Sequence, residues 1–193
     1  YERTKELIQD LFSHSISKGS LYNFRQNAYD HLEDFEQRLK TLLCLSLVVG
    51  FDETGFRINK NRWWLHSCST DQHVYYDVHP KRGQLAMNQI GILPLFKGIA
   101  VHDFWKSYYK YDCKHSLCNA HLLRDLIFIT ERFNQDWAEQ LIELLLKMLN
   151  LKNRALARGQ LAISKVTLKK YRKLFDQLVE EGMKLNPFKL PDK

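Results

Sequence analysis

Leu47-Val48-Val49-Gly50-Phe51-Asp52-Glu53-Thr54-Gly55 is a short apolar run that ends on two adjacent acids and a Thr-Gly pair. A run of this length bounded by a turn signal reads as a buried strand, with Asp52 where the strand leaves the core. A carboxylate in that position costs desolvation energy unless a cation or hydrogen-bond donors meet it. Gly98-Ile99-Ala100-Val101-His102-Asp103-Phe104-Trp105 repeats the pattern, a small apolar strand closing on an acid. Two buried strands that deliver carboxylates from their ends are what a divalent-cation site needs. Hard oxygen ligands suit magnesium, and two acids leave room for water and phosphate oxygens. From these two runs alone, acids that only cap the turns after their strands are an equal reading.

Between the two runs the periodicity is that of strands. Residues 62–69 and 73–78 have aromatic and β-branched content, and Ser69-Thr70-Asp71-Gln72 is a short hairpin connection between them. With residues 47–51 they form an antiparallel meander of three strands. Residues 84–90 read as a helix stopped by Gly91 and Pro94, after which residues 98–101 return as the second acid-bearing strand.

Six short motifs stand here in a fixed order: Asp52-Glu53-Thr54-Gly55, Trp64-Leu65-His66, Lys81-Arg82-Gly83, Gly91-Ile92-Leu93-Pro94, Val101-His102-Asp103, and Leu117-Cys118-Asn119-Ala120-His121-Leu122-Leu123-Arg124. That succession resembles the catalytic core of bacterial insertion sequence 66 transposases, a DDE family, over residues 7–146. The resemblance implies an α/β fold: a ribonuclease-H-like mixed sheet with flanking helices, its first and fourth strands parallel neighbours so that Asp52 and Asp103 meet. An N-terminal helical segment and a C-terminal helical tail would complete the chain. The expected divisions are 1–46 for the N-terminal helical segment, 47–130 for the catalytic core and 131–193 for the helical insertion or tail.

The resemblance further implies metal-dependent hydrolysis of DNA phosphodiesters and strand transfer at transposon ends, with Asp52 and Asp103 as catalytic metal ligands for Mg2+ or Mn2+. Glu53 and His102 would tune those acids, and Lys81, Arg82, Lys106, Lys110 and Arg124 would contact DNA phosphates. Cys118 and His121, a Cys-x-x-His pair, would hold the edge of the site. The family's third acid is a Glu in an Asn-x-x-Glu-Arg helix, which this sequence lacks, so the core is expected to be incomplete. Asp125 is the only other acid near the motif block. A DNA-binding or interaction remnant without catalysis is the alternative, and another ribonuclease-H-like nuclease a third. The partners implied are transposon-end DNA and a second copy of the chain in a homodimer, with no membrane and a bacterial cytoplasmic location.

Other stretches bear on binding. Phe104 to Tyr111 interleaves aromatics with Lys106 and Lys110, as base-stacking and phosphate-tracking surfaces do. Trp105 and Tyr108 stand at helical spacing within it and belong to a core. Cys113, His115, Cys118 and His121 crowd into nine positions. A structural zinc site draws its ligand pairs from two separated elements, so a buried, hydrogen-bonded Cys118-His121 pair without zinc is expected.

Toward the N-terminus, residues 4–12 read as a short helix and residues 13–20 as a break. One long amphipathic helix then runs from a Ser20 cap through Leu21, Phe24, Ala28, Leu32, Phe35, Leu39 and Leu42. Its exposed acids, Asp30, Glu33, Asp34 and Glu36, would repel DNA, so it is expected to pack on the core as scaffold. Toward the C-terminus, helices are expected over residues 122–133, 137–149 and 166–181. Gly182 would close the last of them, and Pro187 and Pro191 mark an extended end.

Composition agrees with a folded chain. Of 193 residues 45% are hydrophobic and 12% aromatic, and no apolar run approaches the ~20 residues of a membrane span. No N-terminal signal peptide is visible. Four cysteines in a chain of this size do not make a disulfide framework. The net charge is +7, and residues 50–193 carry the basic surplus, which suits a polyanionic partner.

Overall fold

A computed structural model describes residues 1–187. The chain divides into two compact units, Tyr1–Ser116 and Leu117–Lys193.

The first unit carries the sheet. Strands β1 (Val48–Ile58), β2 (Asn61–Ser69) and β3 (Val74–His79) form the antiparallel meander, helix α4 (Gln84–Ile90) follows, and β4 (Ile99–His102) pairs parallel with β1. A fifth strand, β5 (Lys114–Leu117), completes the order β3-β2-β1-β4-β5. Central position explains the apolar run. Val49, Phe51, Ala100, Cys68 and Tyr75 are buried on one sheet face together with Ala86, Met87 and Ile90 of α4, while alternate residues face away. Gly98 admits the chain into β4, because a Cβ there would lie 2.5 Å from the Leu47 carbonyl oxygen and 2.7 Å from that of Ser46.

Thr54-Gly55 does not stop β1. The strand continues to Ile58, paired with β2 through Asp52↔Ser67 and Glu53↔His66, and turns at Asn59 and Lys60, both at positive φ. A two-residue turn of that hand fits the twist of the flanking strands. Burial nevertheless fades after Phe51, so Asp52 stands where β1 outruns its parallel partner.

The N-terminal helices depart further from expectation. In place of one long helix there are α2 (Lys18–His31) and α3 (Glu33–Leu45), broken at Leu32, and the cap is Ser17, whose hydroxyl accepts from the Ser20 N–H. Neither α1 (Glu2–Phe12) nor α2 buries a residue, so the apolar spacing had no core to hold one continuous rod. Only α3 packs as scaffold. Leu43 is fully buried, Glu36 accepts from the Tyr75 hydroxyl at 2.9 Å, and the Lys40 ammonium lies 4.8 Å from the Tyr75 ring centroid.

In the second unit, α5 (Asn119–Phe133), α6 (Asp136–Ala157) and α7 (Lys165–Leu185) pack around Leu126, Trp137, Ala138, Leu141 and Leu144. Gly182 does not close α7. It lies inside the helix, and a Cβ there would meet the Trp137 ring at 2.8 Å, so the glycine makes room for an indole. Pro187 follows α7, and Pro191 lies outside the described residues. All four cysteines are free thiols, and among the described residues no helix is long and apolar enough to cross a membrane.

Candidate active site

The parallel ladder pairs Val48 with Ile99, Val49 with Ala100 and Gly50 with Val101. Asp52 and Asp103 each follow the last of these pairs by two residues, Asp52 still within β1 and Asp103 just past β4. Asp52 is exposed and lines a small recess with His66, Ser67 and Tyr108. Its Oδ1 accepts the Glu53 N–H at 2.9 Å, and the Ser67 hydroxyl donates to its backbone carbonyl at 3.3 Å. Asp103 is the first residue past β4. Its Oδ1 accepts the Trp105 N–H at 2.9 Å, and its Oδ2 lies 3.4 Å from Arg82 Nη2.

Arg82 links this acid to a second one. Its Nε donates to Glu53 Oε1 at 2.6 Å, where the Glu53 side chain is 1% exposed. The guanidinium carbon lies 4.1 Å from the Trp105 ring centroid and 5.1 Å from that of Trp64. Two aromatic faces and two carboxylates therefore fix one cation, the planar, persistently charged group such a site requires. The other Glu53 oxygen, Oε2, accepts from the Tyr108 hydroxyl. Burial pushes the Tyr108 pKa far above its ordinary value, and the charges of Glu53, Asp103 and Asp52 push the same way. Tyr108 is thus a permanent donor within the field of all three acids.

Tyr108 stacks on His102 at 4.4 Å between centroids. His102 is fully buried; its Nδ1 donates to the Asp103 carbonyl at 2.5 Å and its Nε2 lies 2.9 Å from His115 Nδ1. His115 Nε2 in turn donates to the Tyr111 carbonyl at 3.2 Å. Burial lowers the His102 pKa. This chain ties β4 to β5 immediately behind Asp103.

The other expected residues are spread more widely. Lys81 is exposed, and its carbonyl accepts from His66 Nε2 at 3.3 Å. Lys106 is exposed, and Lys110 reaches Gln84 Oε1 at 3.5 Å. Cys118 caps α5, with His121 on its first turn and the exposed Arg124 one turn later, all in the second unit. Cys118 and His121 are both half-buried. The Cys113 sulfur lies 3.9 Å from His115 Nε2. Among the described residues no three or more Cys, His, Asp or Glu side chains gather as a metal cage.

The donor set at Asp52 and Asp103 fits a hard, partly hydrated cation: two carboxylates just beyond the parallel β1/β4 pairing, one of them exposed. The sequence did not mark Tyr108, Trp64, Trp105 or His115 as parts of this site. Trp105 and Tyr108 had a signal, being spaced two and five residues after Asp103, but it read as core alone.

Strand order 3-2-1-4-5 with a parallel β1/β4 pair and helices on the flanks defines a ribonuclease-H-like fold. The chain belongs to a family described as "Transposase IS66 family", whose profile matches residues 1–189. No curated protein matches the sequence. Among solved structures, the chain is similar to the HTLV-2 integrase catalytic core domain in complex with magnesium. In its trimeric form the identity is 14% over 46% of this chain and 74% of that one, with a TM-score of 0.31. In its dimeric form the identity is 16% over 50% and 79%, again with a TM-score of 0.31. A simian T-cell lymphotropic virus intasome in complex with PP2A regulatory subunit B56 gamma is 13% identical over 49% and 46%, with a TM-score of 0.29. Superpositions this loose add nothing to what the strand order itself states.

Proposed function

We propose that this chain is the core of a transposase that breaks and rejoins DNA phosphodiesters at transposon ends. Residues 47–130 would be the catalytic core, 1–46 a helical segment and 131–193 a helical insertion. The observation that supports the reading is the parallel pairing of β1 with β4 up to Gly50↔Val101, from whose last pair Asp52 and Asp103 each follow by two residues. These two acids would hold Mg2+ or Mn2+, which when bound supplies charge neutralisation at the phosphate and an acidified water. Arg82 and the Trp105 N–H hold the Asp103 carboxylate in place, and Tyr108 keeps Glu53 hydrogen-bonded and out of solvent. Lys81, Lys106 and Lys110 would receive phosphates, Arg124 would do so from the second unit, and a homodimer would bring two such cores to paired ends.

A second reading, a DNA-binding remnant without catalysis, is favoured by one observation: the acids that gather here are already engaged by Arg82, and no third ligand joins Asp52 and Asp103 among the described residues. The two readings separate on duplex-DNA binding titrated with and without Mn2+. A transposase core binds DNA more tightly with Mn2+ and loses that increment in Asp52→Asn. A remnant shows no increment, which would remove the catalytic reading.

A further inference from the structure

The catalytic reading places all its DNA contacts but Arg124 on the first unit, yet the chain's positive charge is concentrated elsewhere. Residues 144–175 hold nine Lys and Arg and no Asp or Glu. Since the whole chain is +7, everything outside that stretch sums to −2. The stretch is the far half of one helical hairpin. Trp137 at the start of α6 meets Gly182 near the end of α7, and Asn186 donates to Gln135 at 2.8 Å, so the two helices run antiparallel. Their other ends, joined by residues 158–164, therefore form a common tip. From α6 and its cap come Lys147, Lys152, Arg154 and Arg158; from the first half of α7 come Lys165, Lys169, Lys170, Arg172 and Lys173. All nine are exposed. Lys147 and Lys170 line one groove, which Glu143 and Glu181 also line, and Lys152 lines another with Leu168 and Tyr171, so cations of both helices share one surface.

Helix stability accounts for Lys152, Arg154 and Arg158, which lie at the C-terminal end of α6 where cations are favourable, but not for the five cations in the first half of α7. A solvated helix face normally mixes signs. Here the acids Asp136, Glu139 and Glu143 lie in the first eight residues of α6, Asp176, Glu180 and Glu181 lie with Lys184 in the second half of α7, and the stretch between holds cations alone. Among the described residues only Lys147 of the nine has an ion pair, with Glu143 at 2.9 Å. Cations in the first turns of α7 also oppose that helix's own dipole, whose N-terminal end favours acids, and its first turn has none. Crowded like charges at the wrong end of a helix are stabilised by an external polyanion. Lys147 to Arg158 spans about 16 Å at 1.5 Å per residue, a length along which duplex DNA presents on the order of ten phosphate charges. Among the described residues no exposed aromatic stands at the tip to stack on a base.

We propose that the α6–α7 tip is a sequence-independent grip on the phosphate backbone of duplex DNA, separate from the lysines beside the acids. The proposal rests on the transposase reading for its choice of polyanion. The test is fluorescence anisotropy of the full chain with a labelled random-sequence duplex across a salt series. The variants are Lys169→Gln/Lys170→Gln/Arg172→Gln/Lys173→Gln, the same four positions as Lys or Arg exchanged for one another, and Lys81→Gln/Lys106→Gln/Lys110→Gln. Helix content is checked by circular dichroism. The tip-neutralised chain should keep its helix content, and its log-log salt slope should be shallower by about 2 or more, each lost phosphate contact removing about 0.9. The charge-conserving exchange should restore the slope. An unchanged slope in a wild-type chain that does bind DNA overturns the grip and leaves the transposase reading intact. Failure of the wild-type chain to bind duplex at all overturns the DNA partner itself. Capture by phosphatidylserine vesicles in place of duplex, lost in the same tip variant, overturns the proposal in favour of a lipid surface.

Discussion

Arg82 donates from Nε to Glu53 at 2.6 Å, and the acid it meets is almost wholly enclosed while the arginine keeps 35% of its side chain exposed. The pair holds a buried charge directly beside Asp103. Removing one partner leaves the other uncompensated, which is costlier than removing both.

Arg82→Ala should therefore destabilise the first unit by about 1–3 kcal/mol, less than for a fully buried pair because water screens the exposed arginine. Arg82→Met combined with Glu53→Gln should recover at least half of the loss. Urea denaturation followed by the fluorescence of Trp64 and Trp105, which pack on the guanidinium, reads both. Additive losses in the double variant would show that the two side chains do not act together.

In the second unit the close approach is Trp137 to Gly182. Gly182→Ala puts a methyl group where the ring stands at 2.8 Å and should cost about 1–3 kcal/mol as an overpacked core. Trp137→Leu in the same background should regain part of it. Thermal melts by circular dichroism at 222 nm measure the difference, and an unchanged melt would mean that Gly182 is merely tolerated in α7.

His66 supplies a pH dependence. It is buried, and burial lowers its pKa below the ordinary 6.5 despite the neighbouring charge of Glu53. Below about pH 6.5 the unfolded chain therefore takes up a proton that the folded chain refuses. Its contribution to stability is complete above that pH and declines on acidification until the folded pKa is also passed, at up to about 1.4 kcal/mol per pH unit. His66→Gln should flatten the stability profile between pH 6.5 and 5. An equally steep profile would assign the slope to other groups.

The acid-bearing strands were legible because the buried positions Val49, Phe51 and Ala100 write themselves into composition, although Leu47 and Val48 of the same run are exposed. The meander and α4 followed from the same logic. What the sequence hid were features decided at a distance. Asn59 and Lys60 form the hairpin turn, but lysine at positive φ carries no turn signal, so β1 was read seven residues short of Ile58. Residues 114–117 pair as β5 although their cysteine and histidine neighbours invited a ligand reading. The apolar spacing across Leu32 promised one helix, and without a packed partner it formed two. Gly182 looked like a helix end because an indole 45 positions away is invisible in local pattern. At the site, Asp52 and Asp103 were found from strand ends. Arg82 was read as a free phosphate contact because nothing local tells that Glu53, Trp64 and Trp105 converge on it.

Whether Asp52 and Asp103 form one cation site is tested most directly by Mn2+ binding to the full chain, read by electron paramagnetic resonance of free Mn2+ during titration. Two carboxylates without a third acid hold one ion weakly, so the wild-type chain should bind a single Mn2+ with a Kd on the order of 0.1–1 mM. Asp52→Asn and Asp103→Asn should each weaken it by at least about tenfold, with melting temperatures of the metal-free proteins little changed. Binding that persists unweakened in either variant would contradict the shared site.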